Sequence, residues 1–295
     1  MNTQEFLSNS GGDSRDRIAR LVSKKGKERI SMLTCYDYTF ARILDETGID
    51  ILLVGDSLAN VVLGMERTKE ISFREMFQHT KAVARACKNS LVIADMPYVC
   101  YQKNRRKALY FAQKFIEEAG ADGVKIEWFK YCTEVVRTLI KHNIPVMGHI
   151  GLTPQTVGKR SKFRVQGKDS LSAFNLVDHA KVLEEIGIFS VVLECIPAQL
   201  AQLISAHLNI PTIGIGAGPS CDGQVLVLYD ILGLYKKITP RFIKVYHDLG
   251  ALIEGTVKSF ISEVKEGRFP QEKHSFFMSE EELRQLEKKY KNFKF

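Results

Sequence analysis

The sequence predicts an α/β fold, a (β/α)8 (TIM) barrel built as a single domain with N-terminal and C-terminal helical extensions. Eight short apolar runs alternate with helical patterns, which is the element order of a parallel sheet with crossover helices. Four of the runs end on an acidic residue, and α/β barrels keep their catalytic groups at the C-terminal ends of their strands. A doubly wound open sheet is the alternative, but no Gly-x-Gly-x-x-Gly fingerprint follows the first predicted strand.

Each predicted strand is a short apolar run, often β-branched, which is typical of a buried parallel strand. The predicted strands span residues 31–35, 50–54, 91–94, 123–126, 145–149, 190–193, 211–215 and 224–228. The predicted helices span residues 38–47, 72–88, 105–118, 130–142, 170–186, 197–208, 241–265 and 280–290. Gly48 is expected to cap the first helix, and Ser72 with Glu75 is expected to form a capping box on the second.

Residues 1–15 are predicted to be a flexible polar tail, and residues 16–295 a single barrel domain with C-terminal helices. The first residues lack an apolar core and carry acids, so they match neither a secretory signal nor a transit peptide. No apolar stretch approaches the roughly 20 residues that span a bilayer. We therefore expect a cytoplasmic protein without a membrane partner. The connection 151–168 is glycine-rich and basic, and loops of that length are usually functional or disordered.

Composition narrows the function classes further. The 295 residues are 45% hydrophobic and 26% charged, as in an ordinary soluble globular protein. The net charge is +8, but the basic residues are dispersed and are not interleaved with aromatics, so we expect no nucleic-acid partner. A modest attraction for acidic small molecules is the alternative reading of that charge. The six cysteines show no Cys-x-x-Cys spacing, which favours reduced, mostly buried thiols.

The four strand-end acids are Asp56, Asp95, Glu127 and Glu194. Taken singly, Asp56 is more simply explained as a helix cap and Asp95 as a turn residue before a proline. At one rim of a barrel, however, four carboxylates would suit a hard divalent cation and a general base. Their coincidence therefore predicts a metal-dependent site at the C-terminal rim.

Two further side chains, Lys125 and His149, are candidates for the same site, and two of the acids have neighbours that bear on their roles. Lys125 and Glu127 are two apart in a strand, so both project to the same side, and a buried ion pair is the simpler alternative to a ligand site. Apolar neighbours should raise the proton affinity of Glu194, which suits a base near neutral pH. His149 ends the fifth predicted strand, where a core histidine and a substrate contact are equally expected. The glycines of 214–218 suit an anion or a tight turn.

The same segments resemble the ketopantoate hydroxymethyltransferase family. The stretches that carry the resemblance occur in order over residues 31–230, and a weaker similarity lies near residues 269–276. They read MLTCYDYTFARILDETGIDILLVGDSLANVVLG, HTKAVARA, LVIADMPY, AGADGVKIE, IPVMGHIGLTPQ, FRVQGK, VVLECIP, IPTIGIGAG and DGQVLVLYD. Ala59 stands where the family commonly has glycine, and the basic residues 157–162 also depart from its pattern.

The resemblance implies a homodecamer, a pentamer of dimers, with a Mg²⁺ site in each barrel. It implies that Asp56 and Asp95 are metal ligands and that Glu127 acts nearby, through water. It also implies that both aspartates, Ser57 and Lys125 contact the substrate. His149 is a further candidate contact because it ends the fifth predicted strand. Glu194 would be the proton acceptor.

The implied reaction transfers a hydroxymethyl group from 5,10-methylenetetrahydrofolate to 3-methyl-2-oxobutanoate through a Mg²⁺-stabilised enolate. The product, 2-dehydropantoate, leads to pantothenate and coenzyme A. Two alternatives stay open from the sequence. One is a Mg²⁺-dependent keto-acid lyase of the phosphoenolpyruvate mutase and isocitrate lyase type. The other is a non-catalytic barrel that binds RNA or a protein through its basic clusters, although such a barrel would not need the four acids.

Overall fold

The structure is a computed structural model that describes residues 12–102, 104–156, 164–235 and 240–290. The chain divides into two compact units, Met1–Tyr246 and His247–Phe295. The first unit contains the barrel. The second contains the C-terminal helices, and their assignment to the barrel's own domain stays a prediction. The basic stretch 157–162 lies outside the described residues.

Eight parallel strands pair in chain order and close into a barrel, with the last strand pairing to the first. The fold class predicted from the sequence is therefore confirmed. The strands are β1 Ile30–Thr34, β2 Ile51–Val54, β3 Leu91–Asp95, β4 Gly123–Glu127, β5 Val146–Gly151, β6 Ser190–Glu194, β7 Thr212–Ile215 and β8 Gly223–Leu226.

One helix precedes the first strand, and the others connect the strands or follow the last of them. They are α1 Gly12–Ser23, α2 Tyr38–Asp45, α3 Leu58–Val61, α4 Phe73–Ala86, α5 Tyr98–Tyr101, α6 Arg105–Gln113, α7 Cys132–Lys141, α8 Ser170–Ile186, α9 Ala198–His207, α10 Leu228–Ile231, α11 Leu249–Lys265 and α12 Glu280–Lys289. A π-helical segment, Lys114–Glu118, continues α6, and short 3-10 segments occupy Thr68–Glu70 and Glu272–His274. Among the described residues, no helix has the length and apolar character needed to cross a membrane.

Local signals in the sequence placed several helix ends correctly. The capping box of Ser72 and Glu75 is present at the start of α4. The prediction for α8 agrees at both ends, and Gly187 caps it in the left-handed conformation. Capping satisfies backbone groups that the helix itself leaves unpaired, so these boundaries depend on few residues and can be read locally.

Two predictions at the edges of the barrel differ from the structure. Helix α1 begins at Gly12, so it includes residues 12–15, which are predicted to belong to the flexible tail. The helix predicted from residue 241 is wrong at its start, because α11 begins at Leu249, where Asp248 accepts a hydrogen bond from the Ala251 N–H. The chain before Asp248 is held instead by the Tyr246 N–H, which donates to the Ile231 carbonyl.

The core has two layers, one inside the barrel and one between the strands and the helices. Val124 and Ile126 of β4 belong to the outer layer, as the alternation of a strand requires. Apolar side chains fill the barrel interior, and α1 adds Ile18 and Leu21 to that cluster. The inner cluster also contains Ile30, Met32, Ile51, Leu53, Leu91, Ile93, Met147, Phe189, Val192, Ile213 and Val225. The interior is therefore a packed core, which leaves the C-terminal rim for polar chemistry.

All six cysteines are free thiols, and five of them are buried. This agrees with the reduced thiols expected from their spacing. Burial raises the pKa of the thiols, to about 12 for Cys35 and Cys195. They are therefore protonated at neutral pH and poor nucleophiles.

Candidate active site

The strand-end side chains meet at one cavity. It has a volume of about 430 Å³, and its wall includes Asp56, Asp95, Lys125, His149 and Glu194. Ser57 also lines it, so six of the seven predicted site residues reach the same space. The seventh, Glu127, is buried and contacts His149. Parallel strands in a closed barrel carry their C-terminal ends to one rim, which is why residues so far apart in sequence converge here.

A buried ion pair joins β3 to β4. The Lys125 ammonium donates to Asp95 Oδ2 over 2.6 Å, and the Asp56 backbone N–H donates to the same oxygen over 3.2 Å. Burial raises the pKa of Asp95 to about 6, against the opposing effect of Lys125. Burial alone would lower the pKa of Lys125, but the carboxylates of Asp95, Glu127 and Asp56 raise it above its ordinary value. Lys125 is therefore positively charged at neutral pH and is surrounded by these three carboxyl groups.

His149 lies between two carboxylates. Its Nδ1 is 3.6 Å from Glu127 Oε1 and its Nε2 is 3.2 Å from Glu194 Oε2, but neither ring nitrogen makes an aligned hydrogen bond within the described residues. Burial, with Lys125 nearby, lowers the pKa of His149 well below its ordinary value. The imidazole is therefore neutral, so its Nε2 can donate a hydrogen bond to the Glu194 carboxylate or accept one from the protonated carboxyl group.

Glu194 has the properties of a base that works near neutral pH. Burial raises the pKa of its carboxyl to about 7, and the charge of Lys125 opposes that rise. Its side chain keeps 14% exposure, and it lines the cavity. A carboxyl with this pKa is present in both protonation states at physiological pH, so it can accept a proton and release it again.

The donor set fits a hard divalent cation. Asp56 Oδ2, Asp95 Oδ1 and Glu127 Oε1 are buried and find no hydrogen-bond partner within the described residues. Unpaired buried carboxylate oxygens are costly, and oxygen atoms are the ligands that Mg²⁺ and Ca²⁺ prefer. No three His, Cys, Asp or Glu side chains of the described chain form a complete metal cage. Mg²⁺ usually takes only one or two protein carboxylates, with water and substrate as its other ligands, so the unpaired oxygens are the observation that bears on a metal here.

Several contacts in the site were not predicted from the sequence. The Tyr36 hydroxyl is hydrogen-bonded to Ser57 Oγ at 2.7 Å and holds that side chain at the cavity. The Gln155 backbone N–H donates to Glu127 Oε2 over 3.1 Å, and the Tyr101 hydroxyl donates to the Gln155 side chain. Tyr36 and Gln155 both lie in stretches that carried the family resemblance, but neither has a local pattern that indicates its partner.

The glycines after β7 are explained by a tight turn. Gly216 and Gly218 both have positive φ angles, 61° and 78°. A Cβ on Gly218 would lie 2.5 Å from the Ala198 side chain, and one on Gly216 would lie 2.8 Å from the Phe242 ring. Glycine is required here by conformation and by close packing, so the anion reading of this stretch gains no support.

The backbone around Glu194 is unusually constrained. Cys195 directly after it has φ of 49°, a left-handed conformation that is costly for a residue with a Cβ. Gly151, opposite in β5, has φ of 97°, and a Cβ there would overlap the Glu194 carbonyl oxygen. The position of Glu194 therefore depends on the absence of a side chain at residue 151.

Gly151→Ala is expected to displace Glu194, because the new methyl group must push the β6 backbone away and also forces a disfavoured φ. We expect about a tenfold or larger loss of turnover, with a lower melting temperature. Gly255→Ala is the matched control, since nothing lies within 4 Å of a Cβ at that position. Equal turnover in the Gly151 and Gly255 variants would contradict this account.

Comparison with known proteins points to one family. The family model described as Ketopantoate hydroxymethyltransferase matches residues 15–272. A 3-methyl-2-oxobutanoate hydroxymethyltransferase of Syntrophus aciditrophicus is 51% identical over 259 residues, which cover 88% of this chain and 95% of the relative. One of Carboxydothermus hydrogenoformans is 49% identical, with 92% of this chain and 99% of the relative covered.

Solved structures show the same fold at much lower identity. Phosphonopyruvate hydrolase in complex with oxalate and Mg²⁺ matches with a TM-score of 0.57 and 12% identity, over 99% of this chain and 100% of the other. A 2,3-dimethylmalate lyase of the PEP mutase/isocitrate lyase superfamily matches with a TM-score of 0.55 and 12% identity, over 96% and 98%. Identity this low supports the fold alone.

Proposed function

The chain belongs to the ketopantoate hydroxymethyltransferase family, and we propose that it transfers a hydroxymethyl group to 3-methyl-2-oxobutanoate. 5,10-Methylenetetrahydrofolate is the donor, and 2-dehydropantoate, a precursor of pantothenate and coenzyme A, is the product. The observation that carries the proposal is the convergence of Glu194, with a pKa of about 7, and the buried Lys125–Asp95 pair on one cavity. Glu194 can act as the base that removes a proton next to a carbonyl group, and Lys125 can stabilise the negative charge that results.

Binding of the keto acid would use the cation and the hydroxyl at the rim. Lys125 is the positive side chain among the predicted site residues, and it faces the cavity beside Asp95. Ser57 offers a hydroxyl that Tyr36 orients. These two groups, with Asp56, Asp95 and the neutral His149, would hold the α-keto acid head against the rim and leave its branched carbon towards Glu194.

Asp56 and Asp95 would hold Mg²⁺, and Glu127 would act on it through water. Each of the three has a buried oxygen with no hydrogen-bond partner in the part of the chain that the structure describes. Mg²⁺ bound there would supply Lewis-acid polarisation of the keto acid. Lys125 neutralises part of the carboxylate charge in the same region, because its ammonium is buried and pairs directly with Asp95.

Proton transfer would then depend on Glu194. Its carboxylate takes the proton from C3 of the keto acid, and Lys125 stabilises the negative charge that develops on the keto oxygen. His149, neutral and 3.2 Å from Glu194 Oε2, orients the carboxyl group. C3 then bonds to the one-carbon unit, and the two bonds from that carbon to the folate nitrogens N5 and N10 break. Water supplies the hydroxyl group of 2-dehydropantoate and a proton to one nitrogen, and the proton that Glu194 took goes to the other nitrogen, which gives tetrahydrofolate.

A product assay tests the proposed function. The purified protein is incubated with 3-methyl-2-oxobutanoate, Mg²⁺ and 5,10-methylenetetrahydrofolate, and 2-dehydropantoate is measured by mass spectrometry. Parallel reactions lack folate or metal. Product that requires both supports the proposal, whereas cleavage or rearrangement of keto acids without folate would favour the lyase alternative.

Asp56→Asn is expected to weaken Mg²⁺ binding by about tenfold or more, because the substitution removes the charge of one carboxylate ligand. The measurement is a Mg²⁺ titration followed by calorimetry in the presence of the keto acid. Asp169→Asn is the control, since Asp169 is a carboxylate at the N-cap of α8. Wild-type Mg²⁺ affinity in the Asp56 variant would contradict its assignment.

We also propose that the protein is cytoplasmic and that it forms the homodecamer, a pentamer of dimers, which the resemblance implies. Support comes from α11, none of whose residues is buried within its own compact unit. Its exposed large apolar side chains are Leu252, Ile253, Val257, Phe260, Ile261 and Val264. Patches of this kind usually mark an interface. Sedimentation analysis tests the assembly: a decamer supports it and a monomer at micromolar concentration refutes it.

A further inference from the structure

The cavity is larger than the keto acid needs. Its volume of about 430 Å³ falls in the range of roughly 300–1,000 Å³ that encloses a drug-sized ligand, whereas 3-methyl-2-oxobutanoate is a five-carbon acid. The groups assigned above lie at the ends of β2 to β6. In a closed eight-stranded barrel β8 lies across from β4, so the wall after β7 and β8 faces Lys125.

This second wall has a different chemistry from the first. Its described members are mainly apolar or aromatic, with Ile215, Leu226, Tyr235 and Phe242 among them. The Phe242 ring packs directly on the backbone of Gly216, where a Cβ would come within 2.8 Å of it. The missing side chain lets the ring sit against the turn after β7. Flat aromatic surfaces of this kind suit a planar ring.

Asp230 is the acidic side chain of this wall. Among the described residues, its carboxyl group makes no hydrogen bond and no ion pair. Burial alone accounts for its perturbation and raises the pKa to about 6. A half-buried carboxylate without a partner is costly to the fold, and such groups in clefts are candidates for ligand binding. Nothing assigned above to the keto acid or to Mg²⁺ uses Asp230.

We propose that Asp230 binds the 2-amino-4-oxopyrimidine edge of the folate pterin and that Phe242 and Tyr235 pack against the pterin ring. That edge presents two neighbouring donors, the ring N–H and the exocyclic amino group. A carboxylate presents two neighbouring acceptors, so the two groups match in a bidentate, charge-assisted pair. The inference rests on the proposed function, because it names the part of the same cavity that takes the second substrate.

Asp230→Asn tests the pair with little change of shape. We expect the affinity for tetrahydrofolate, titrated by calorimetry with Mg²⁺ and keto acid present, to fall about tenfold or more, because the amide places a donor against a donor. Glu66→Gln is the matched control, an exposed carboxylate that lines the same cavity, and its affinity should change less than about twofold. A tetrahydrofolate analogue with a methyl group in place of the 2-amino group should bind the wild-type protein more weakly than tetrahydrofolate does. The Asp230→Asn substitution should then lower the affinity for this analogue only slightly.

A second measurement separates this inference from the proposed function. Exchange of the keto acid C3 proton with D₂O needs no folate, and it should remain within about twofold of wild type in Asp230→Asn if the residue serves only the pterin. Wild-type tetrahydrofolate affinity in Asp230→Asn would overturn the inference alone. Loss of exchange together with folate affinity would also overturn it, since Asp230 would then support the fold or the keto acid. No folate binding by the wild-type protein would overturn both proposals.

Discussion

Glu194→Gln is expected to lower the rate of deuterium exchange at C3 of 3-methyl-2-oxobutanoate by a factor of about 10² to 10⁴. Glutamine keeps the shape of the side chain and its contact with the neutral His149, but it cannot accept a proton. The measurement is NMR of the keto acid in D₂O with Mg²⁺ and without folate. Because this readout isolates the proton transfer, it does not depend on how the one-carbon unit is delivered.

The same experiment has a pH dependence that identifies the base. The pKa of Glu194 is raised to about 7, so its carboxyl is protonated and inactive below that pH. Wild-type exchange should therefore fall about tenfold per pH unit below about pH 7 and level off above it, and the residual exchange of the variant should lack this inflection. Glu185→Gln, an exposed acid on α8, is the control. Full exchange in Glu194→Gln would sink its assignment as base.

Lys125→Met is expected to lower both the stability and the activity of the protein. Lys125 is buried, pairs with Asp95 and lowers the pKa of Asp56, Glu127 and Glu194. Methionine keeps most of the volume but leaves these acids without a compensating charge. Breaking a buried ion pair in this way costs about 3–5 kcal/mol, and the lower end is expected because some of the carboxylates can protonate instead. The change in the free energy of unfolding is measured by urea denaturation at pH 7.5.

The decrease in the free energy of unfolding caused by Lys125→Met should be smaller at low pH. Asp95 has a pKa of about 6 in the folded wild type, and removal of the lysine raises it further, so at pH 5 the carboxyl is neutral and no longer needs the cation. The penalty therefore appears as the pH rises through about 6. Lys258→Met is the control, because it breaks the exposed Lys258–Glu254 pair, where a change below about 1 kcal/mol is expected. Similar unfolding free energies for the two variants would refute the role of Lys125.

Much of the barrel could be predicted from local patterns. The alternation of β4 placed Lys125 and Glu127 on one side and Val124 and Ile126 on the other, and the structure confirms the outer packing of the latter pair. The capping box at Ser72 defined the start of α4. These features depend on residues within a few positions of one another, which is why one sequence is enough to find them.

The edges of the fold were harder to predict. Helix α1 has a polar sequence with few apolar positions, and its role depends on Ile18 and Leu21 joining the cluster inside the barrel. The segment before α11 contains Phe242, whose spacing suited a helix but whose ring lines the cavity. In both places a tertiary contact overrides the local preference of the chain.

One sequence is enough to predict the eight strands, the rim at which the four acids gather and, through the family resemblance, the chemistry to expect there. The pairings within that rim become visible in the folded barrel: Lys125 with Asp95, Tyr36 with Ser57, and His149 between Glu127 and Glu194. Among the residues that the structure describes, Asp230 also has no hydrogen bond or ion pair in the wall opposite β4. The physical reason is that residue type and spacing fix which way a side chain projects, whereas its partners depend on closure of the barrel, which brings distant strands together and removes water from the charges between them.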